Sequence, residues 1–265
     1  MPTSMLDPAT ETLEPLTLPG WNIGALDADV VHFVRHGLEA IEGWGVDPYL
    51  AGLFLALDRF QKANGVTGNL FELGVHHGRS AVLIALMAAP DEQSVFLDLF
   101  GRQAENIDFS GLGNREIFEA NLATWAPGRR YDAIEANSLE LDFAATPMLS
   151  GGLRFAHIDG GHHRDAVLND LFKTEAAMVE GGVVVMDDFA HTGFPEVSEA
   201  CNFYLERREA NRLTPVALGH NKLVLVTRRH QARLFAFLER LGAANDPPVR
   251  AVRFHGEQVI CLDAH

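Results

Sequence analysis

The residues most able to do chemistry in this 265-residue chain are three aspartates that close apolar runs. Leu153-Arg154-Phe155-Ala156-His157-Ile158 runs into Asp159, and Gly182-Val183-Val184-Val185-Met186 runs into Asp187-Asp188. Between them, Arg164 to Glu180 reads as a helix closed by Gly181-Gly182. Strand, helix, strand is a βαβ crossover, almost always right-handed, which brings both strand ends to one edge of a parallel sheet. Open α/β sheets bind ligands at that edge. Packing gives no reason to gather three like charges there, so the spacing points to a shared cation. Hard oxygen donors suit Mg²⁺, Mn²⁺ or Ca²⁺, and a half-open coordination sphere leaves places for substrate oxygens. His162, three residues after Asp159, can act as a base near neutrality, ligate the same ion, or only shape the loop. For Asp187 and Asp188 the plainer alternative is a strand-ending aspartate that caps the next turn.

A second constellation lies upstream, where Phe71-Glu72-Leu73-Gly74-Val75-His76-His77-Gly78-Arg79-Ser80 runs from a strand into a helix. Gly74 and Gly78 permit a tight turn that a ligand can approach. The helix N-terminus offers free N–H groups to an anion such as a carboxylate, and Ser80 can cap the helix or donate to that anion. His76 occupies a glycine position of the dinucleotide fingerprint, and its bulk disfavours a pyrophosphate against the backbone. Asp98 ends the next strand about 20 residues on, where an acidic group can hold ribose hydroxyls. Asn137 and Ser138, after the third strand, offer small polar groups to flank an adenine. Taken singly, each of these reads as a turn or cap residue; His157, inside an apolar run, reads as a satisfied core histidine.

Taken together, E-L-G-V-H-H-G-R-S resembles motif I of the class I S-adenosylmethionine-dependent methyltransferases, in the E-x-G-x-x-x-G-x-S style of catechol O-methyltransferase. Ile158-Asp159-Gly160-Gly161-His162 with the later Asp187-Asp188 resembles the metal-dependent O-methyltransferase branch that includes the macrolide-sugar enzymes. The resemblance spans roughly residues 50–228. It implies a Rossmann-like, doubly wound α/β fold with a seven-stranded sheet whose last strand is antiparallel. It also implies that Glu72, Gly74, Gly78 and Ser80 surround the methionine part of S-adenosylmethionine, that Asp98 binds the ribose, and that Asn137 and Ser138 lie near the adenine. Asp159, Asp187 and Asp188 would hold Mg²⁺ or Mn²⁺. A lysine serves as base at the place of His162 in catechol O-methyltransferase-like enzymes, and the histidine here stays open as base or ligand. The expected reaction is O-methylation of a small hydroxylated acceptor, a sugar or natural product first and a catechol-like phenol second. Rival readings are a metal-free N- or O-methyltransferase, a metal-dependent hydrolase or oxygenase built on Asp159, His162 and Asp188, and a non-catalytic scaffold on the same fold.

The elements that must position these residues are readable from periodicity. Helices are expected over 27–41, 48–64, 79–89, 115–125, 164–180, 195–210 and 231–241, and strands over 69–73, 94–99, 131–135, 153–158, 182–186, 216–218 and 222–227. A hairpin of 249–254 and 258–262 around Gly256 closes the chain. Residues 1–45 read as an arm and cap helix, 46–228 as the core, and 229–265 as a C-terminal extension. The acceptor pocket is expected to be roofed by the N-terminal segment, by the loop Gly101 to Gly113 and by the loop after Asp188. A net charge of −15 disfavours a nucleic-acid partner. Two cysteines are too few for a disulfide framework. No signal peptide and no apolar run near the roughly 18 residues of a membrane span is visible, so a cytoplasmic enzyme without a membrane partner is expected. A homodimer through the N-terminal helices or the terminal hairpin is also expected.

Overall fold

Short apolar strands separated by amphipathic helices pair into one nine-stranded sheet in the computed structural model, which describes residues 18, 20–207, 210–243 and 249–263. Most of the arm expected over residues 1–27 lies outside the described residues. The strands are β1 (Asn69–Leu73), β2 (Ser94–Asp98), β3 (Tyr131–Glu135), β4 (Leu153–Ile158), β5 (Met178–Met186), β6 (Leu213–Gly219), β7 (Lys222–Thr227), β8 (Arg250–Phe254) and β9 (Glu257–Cys261). The α-helices are α1 (Ala28–His32), α2 (Pro48–Ala63), α3 (Arg79–Met87), α4 (Arg115–Trp125), α5 (Pro147–Ser150), α6 (Arg164–Ala177), α7 (Pro195–Glu206) and α8 (Gln231–Gly242). The sheet order is β3-β2-β1-β4-β5-β7-β6-β9-β8. Strands β1 to β5 are mutually parallel, and β7 runs antiparallel to both β5 and β6.

The sheet is larger than the seven strands expected. The terminal hairpin β8–β9 does not stand apart: β9 pairs in parallel with β6 through Ala217↔Ile260 and Leu218↔Cys261 and extends the same sheet. The unpaired edge strand of β6 is covered by this addition, as an exposed ladder would otherwise require.

Two cores sandwich the sheet. On one face α2, α3, α4 and α8 pack through Leu53, Phe54, Ile84, Phe118 and Leu234 against Leu70, Phe96, Phe155 and Val185. On the other, α6 and α7 pack through Leu171, Val197 and Tyr204 against Phe71, Leu97, Ala156 and Val184. Strands buried on both faces read as continuous apolar runs, which is why β4 and β5 are visible in the sequence. No helix among the described residues is long and apolar enough to cross a membrane.

Two elements depart from expectation. The helix expected over 27–41 begins as α1 and widens into a π-turn at Phe33–Gly37, where any Cβ on Gly37 would overlap Phe33 and Trp125. The helix expected to reach Glu180 stops at Ala177, because Met178 already pairs with Leu153 at the start of β5. The ladder then bulges: Gly181, at φ +85°, donates to Thr227 Oγ1 at 2.7 Å and accepts from Gln61 Nε2 at 3.2 Å. Its backbone groups are satisfied by side chains instead of by the helix, and pairing overrides local propensity.

The ladder's last rungs align the working edge. Ala136 N donates to Asp98 O at 3.1 Å, Gly74 N to Leu97 O at 2.8 Å, Asp159 N to Leu73 O at 2.8 Å and Asp187 N to Ile158 O at 2.9 Å. Gly74 sits between β1 and α3 at φ +82°, and a Cβ there would overlap the Asp159 carbonyl oxygen. Gly74→Ala is therefore expected to cost roughly 2–4 kcal/mol in urea unfolding. Gly128→Ala, at φ +77° with nothing within 4 Å of its would-be Cβ, should lose only about 1–2 kcal/mol of backbone strain. Equal losses at the two glycines would refute the contact argument.

Candidate active site

A cavity of about 680 Å³ opens along the C-terminal edge of the parallel strands, a size typical of small-molecule sites. At one end it is lined by Gly74, His76, Asp98, Asn137 and Ser138, and at the other by Asp159, His162, Asp187 and Asp188. All three segments expected as its roof line it: Trp44 and Gly45 from the N-terminal side, residues 103–111 from the β2–α4 connection, and His191 and Phe194 after Asp188. The N-terminal segment is held down by Arg79, whose Nε and Nη2 donate to Ile41 O at 2.9 and 2.7 Å. Trp44 lies 5.2 Å from the His76 ring, which itself stacks on His77.

The carboxylates divide into two groups with different neighbours. Asp187 is buried at the end of β5, and its Oδ1 accepts from Lys222 Nζ at 2.6 Å. Its Oδ2 lies 3.3 Å from His157 Nε2, and the other nitrogen of that ring meets Glu72 Oε1 at 2.7 Å. Glu72, His157, Asp187 and Lys222 thus form one buried chain of titratable side chains crossing β1, β4, β5 and β7, in which burial pushes the Glu72 carboxyl up from its ordinary range. Burial alone would lower the His157 pKa, but Asp187 and Glu72 raise it to about 10. Burial works against an ionised Asp187 as well, yet His157 and Lys222 hold its carboxyl below the usual range.

Asp188 turns the other way. Its φ of +54° swings the side chain out of the strand, toward His162, whose Nε2 lies 2.9 Å from Asp188 Oδ2. The opposite nitrogen, Nδ1, lies 2.8 Å from Asp108 Oδ2, and the ring stacks on Phe194 with centroids 3.7 Å apart. Burial lowers and the two carboxylates raise the His162 pKa, with a net upward shift. Asp159 lies between the groups, and its pKa is pushed well up by burial and by the neighbouring Asp187 charge.

Among the described residues two sets of three side chains offer ligand atoms within 4.8 Å of one another: His157, Asp159 and Asp187, and Asp159, His162 and Asp188. The first fits a cation poorly, since Asp187 already carries Lys222 and the His157 ring lies between Glu72 and Asp187 inside the sheet. The second fits well. It combines two carboxylates with an imidazole whose far nitrogen faces Asp108, the carboxylate–histidine arrangement that orients metal-binding rings.

Residues 71–189, which hold both ends of the cavity, match the family described as a methyltransferase domain. Among curated proteins none matches the chain. Solved structures share its fold: the O-methyltransferase NovP, at 16% identity and TM-score 0.55, aligns over 68% of this chain and 81% of its own. The O-methyltransferase from Bacillus cereus in complex with SAH gives 16% identity and a TM-score of 0.54 over 76% and 90% of the two chains. TomG from Streptomyces achromogenes, in complex with SAM, gives 15% identity and 0.52 over 77% and 91%.

Within this methyltransferase fold the residues singled out from sequence fall into distinct places. Gly74, Asp98, Asn137, Ser138, Asp159, His162, Asp187 and Asp188 line the cavity. Glu72, Gly78 and Ser80 do not: Glu72 is turned into the sheet toward His157, Gly78 is the N-cap of α3 at φ +93°, and Ser80 hydrogen-bonds Glu72 from the first turn. Asp98 is engaged with backbone, its Oδ2 accepting from Val75 and His76 N at 2.7 and 3.0 Å and its Oδ1 from Phe100 N at 2.7 Å. Sequence reasoning missed Lys222 and Asp108; its reading of His157 as a satisfied core histidine holds, with Glu72 as the partner it did not name. The signal for that pairing was present, since counting back two residues from Gly74 and from Asp159 reaches Glu72 and His157, which are register partners.

Lys222→Met should lose about 3–5 kcal/mol in urea unfolding, the cost of leaving the buried Asp187 carboxylate with one counter-charge fewer. A loss below about 1 kcal/mol would mean that His157 alone neutralises it. Asp170, buried on α6, provides a pH-dependent case. Burial raises its pKa from 3.8 to about 6 against hydrogen bonds from Ser138 and Asn169. Its folded pKa exceeds its unfolded one, so its contribution is intact below about pH 4 and is lost as the pH rises through about 6. Asp170→Asn should accordingly gain up to roughly 3 kcal/mol at pH 8 and nothing near pH 4. Urea titrations showing an equal gain at both pH values would contradict this.

Proposed function

We propose that the chain is an S-adenosylmethionine-dependent O-methyltransferase acting on a hydroxyl of a small uncharged acceptor, with a divalent cation held by Asp159, His162 and Asp188. The carrying observation is the continuity of one cavity from Gly74 and Asp98 to the Asp159–His162–Asp188 cluster, inside the methyltransferase domain. When bound, S-adenosylmethionine supplies an electrophilic methyl on sulfur, and the cation lowers the pKa of the acceptor hydroxyl and orients it. The chain's residues supply placement and charge. Gly74 lets the cofactor approach the β1–α3 turn, Asp98 is offered to the ribose, and Asn137 and Ser138 flank the adenine. His162 directs Nε2 at the same point as the Asp159 and Asp188 oxygens, which favours a ligand role over a free base. An imidazole in the set moves the metal preference from Mg²⁺ toward Mn²⁺. Asp187, expected among the ligands, is read here as held by Lys222 and His157.

The acceptor end is acidic and aromatic. Asp108, Asp159 and Asp188 face it, Lys222 is taken by Asp187, and Trp44 and Phe109 are exposed on the rim. That combination favours a neutral ring-bearing acceptor over a phosphorylated one, with a sugar or natural product first and a catechol-like phenol second. TomG, which shares the fold, is involved in tomaymycin synthesis. Two buried free thiols, Cys201 and Cys261, accord with a reducing cytoplasm.

Calorimetric titration of S-adenosylmethionine into the purified protein tests the reading. Binding in the micromolar range is expected, at least about tenfold weaker in Asp98→Ala whose fold is verified by circular dichroism. No binding to the folded wild type overturns the methyltransferase assignment. Methylation of a hydroxylated acceptor that survives EDTA unchanged removes the cation from it.

A further inference from the structure

Asp108 belongs to no motif and lies 54 residues from His162 in the chain, yet it meets both the backbone N–H and the ring of His162. His162 N donates to Asp108 Oδ2 at 2.9 Å, and His162 Nδ1 lies 2.8 Å from the same oxygen. Ser110 Oγ closes the arrangement, 2.9 Å from Asp108 Oδ1 and 3.2 Å from His162 Nδ1. The β2–α4 connection that carries it folds on itself, Asn106 Nδ2 donating to Ser110 O at 2.7 Å, and reaches Asn137 through Glu105 at 3.1 Å.

We propose that Asp108 is the positioning residue for His162: it fixes the ring as the Nδ1–H tautomer with Nε2 aimed at Asp159 and Asp188. Laying the β2–α4 connection across the cavity is then what completes the site. The argument is geometric. A neutral imidazole donates from one nitrogen and presents a lone pair on the other, and the partner of the first decides which is which. Phe194 holds the ring plane by stacking, but stacking is blind to a rotation that exchanges Nδ1 and Nε2. Asp188 Oδ2 meets Nε2 at 2.9 Å, and Asp108 and Ser110 meet Nδ1; of these Asp108 alone also takes the His162 backbone N–H, so it holds the Nδ1 side of the ring while Nε2 is left to face the cavity. A ligand and a base both need the lone pair at Nε2, so the assignment holds for either role. It rests on the proposed reading of the cavity only for its consequence in methyl transfer.

The test compares the wild-type protein with Asp108→Ala and Asp108→Asn, whose amide oxygen can still accept from Nδ1–H. Ring-nitrogen chemical shifts of ¹⁵N-histidine-labelled protein, recorded at a pH high enough to leave the ring neutral, should show His162 as the Nδ1–H tautomer in the wild type, a mixture in Asp108→Ala, and recovery in Asp108→Asn. Mn²⁺ alone, followed by the electron paramagnetic resonance of the free ion, should bind about 10–100-fold more weakly to Asp108→Ala. S-adenosylmethionine affinity should stay unchanged, which separates this proposal from the methyltransferase reading. A pure Nδ1–H tautomer in Asp108→Ala overturns the proposal, whatever Mn²⁺ does. Should Asp108→Ala fail to fold, Asp108→Val, which keeps bulk but offers no acceptor, takes its place: loss of the pure Nδ1–H tautomer supports the proposal and its retention overturns it.

Discussion

Too many carboxylates meet at one edge of the sheet, and most of the architecture around them answers that single electrostatic problem. Two like charges 4 Å apart repel by about 4 kcal/mol even at an effective dielectric of ~20. Here Asp159, Asp187 and Asp188 are brought together by backbone pairing that leaves them no choice: the Asp159 and Asp187 amides are rungs of the ladder, and Asp188 follows directly. The protein supplies two basic side chains of its own, His157 from β4 and Lys222 from β7, and both go to Asp187. The antiparallel strand that distinguishes this sheet from a purely parallel one is what makes the second possible. Because β7 runs against β5, its first residue meets the end of β5, and a lysine there arrives at the carboxylate.

The consequence is a division of labour between adjacent residues. Asp187 faces inward, in a closed network, and Asp188 faces the cavity in a backbone conformation that costs energy for a residue other than glycine. Strain of that kind persists only where the surroundings hold it, and the hydrogen bond from Asp188 N to Asp187 Oδ1 at 2.7 Å is part of what does so. The closed network acts as a rigid floor. The open one, Asp159 with His162 and Asp188, turns its carboxylate oxygens and imidazole nitrogen toward the cavity, where a ligand can meet them.

Much of this was legible from sequence because the relevant signals are local. β1, β3, β4 and α4 coincide with their expected bounds, being short runs between clear breakers. The glycine turn and the aspartates at strand ends locate the cavity for the same reason: an open parallel sheet has one edge at which ligands bind. What sequence missed depends on pairing over distance. The end of α6 was misplaced because Met178-Val179-Glu180 suits a helix until Leu153 is known to pair with Met178. Nine strands replaced seven because a terminal hairpin carries no mark of which edge it will join. Lys222 reads as the ordinary start of an apolar strand until its neighbour is known. Asp108 lies in an irregular connection with no periodicity at all.

The role of Glu72 follows from the same long-range logic. As the acidic residue of a motif I-like turn it invites assignment to the cofactor, yet it is fully buried against His157, with its other donor, Ser80, in the first turn of α3. A carboxyl group so placed helps to raise the His157 pKa, and His157 is one of the two groups that keep Asp187 ionised and in place. The turn that shapes the cofactor end of the cavity is therefore connected to the acceptor end through a chain of paired side chains inside the sheet. Altering Glu72 would reach Asp187 through His157 without touching any ligand, which makes motif I in this chain a structural support for the carboxylate cluster as much as a turn for the cofactor.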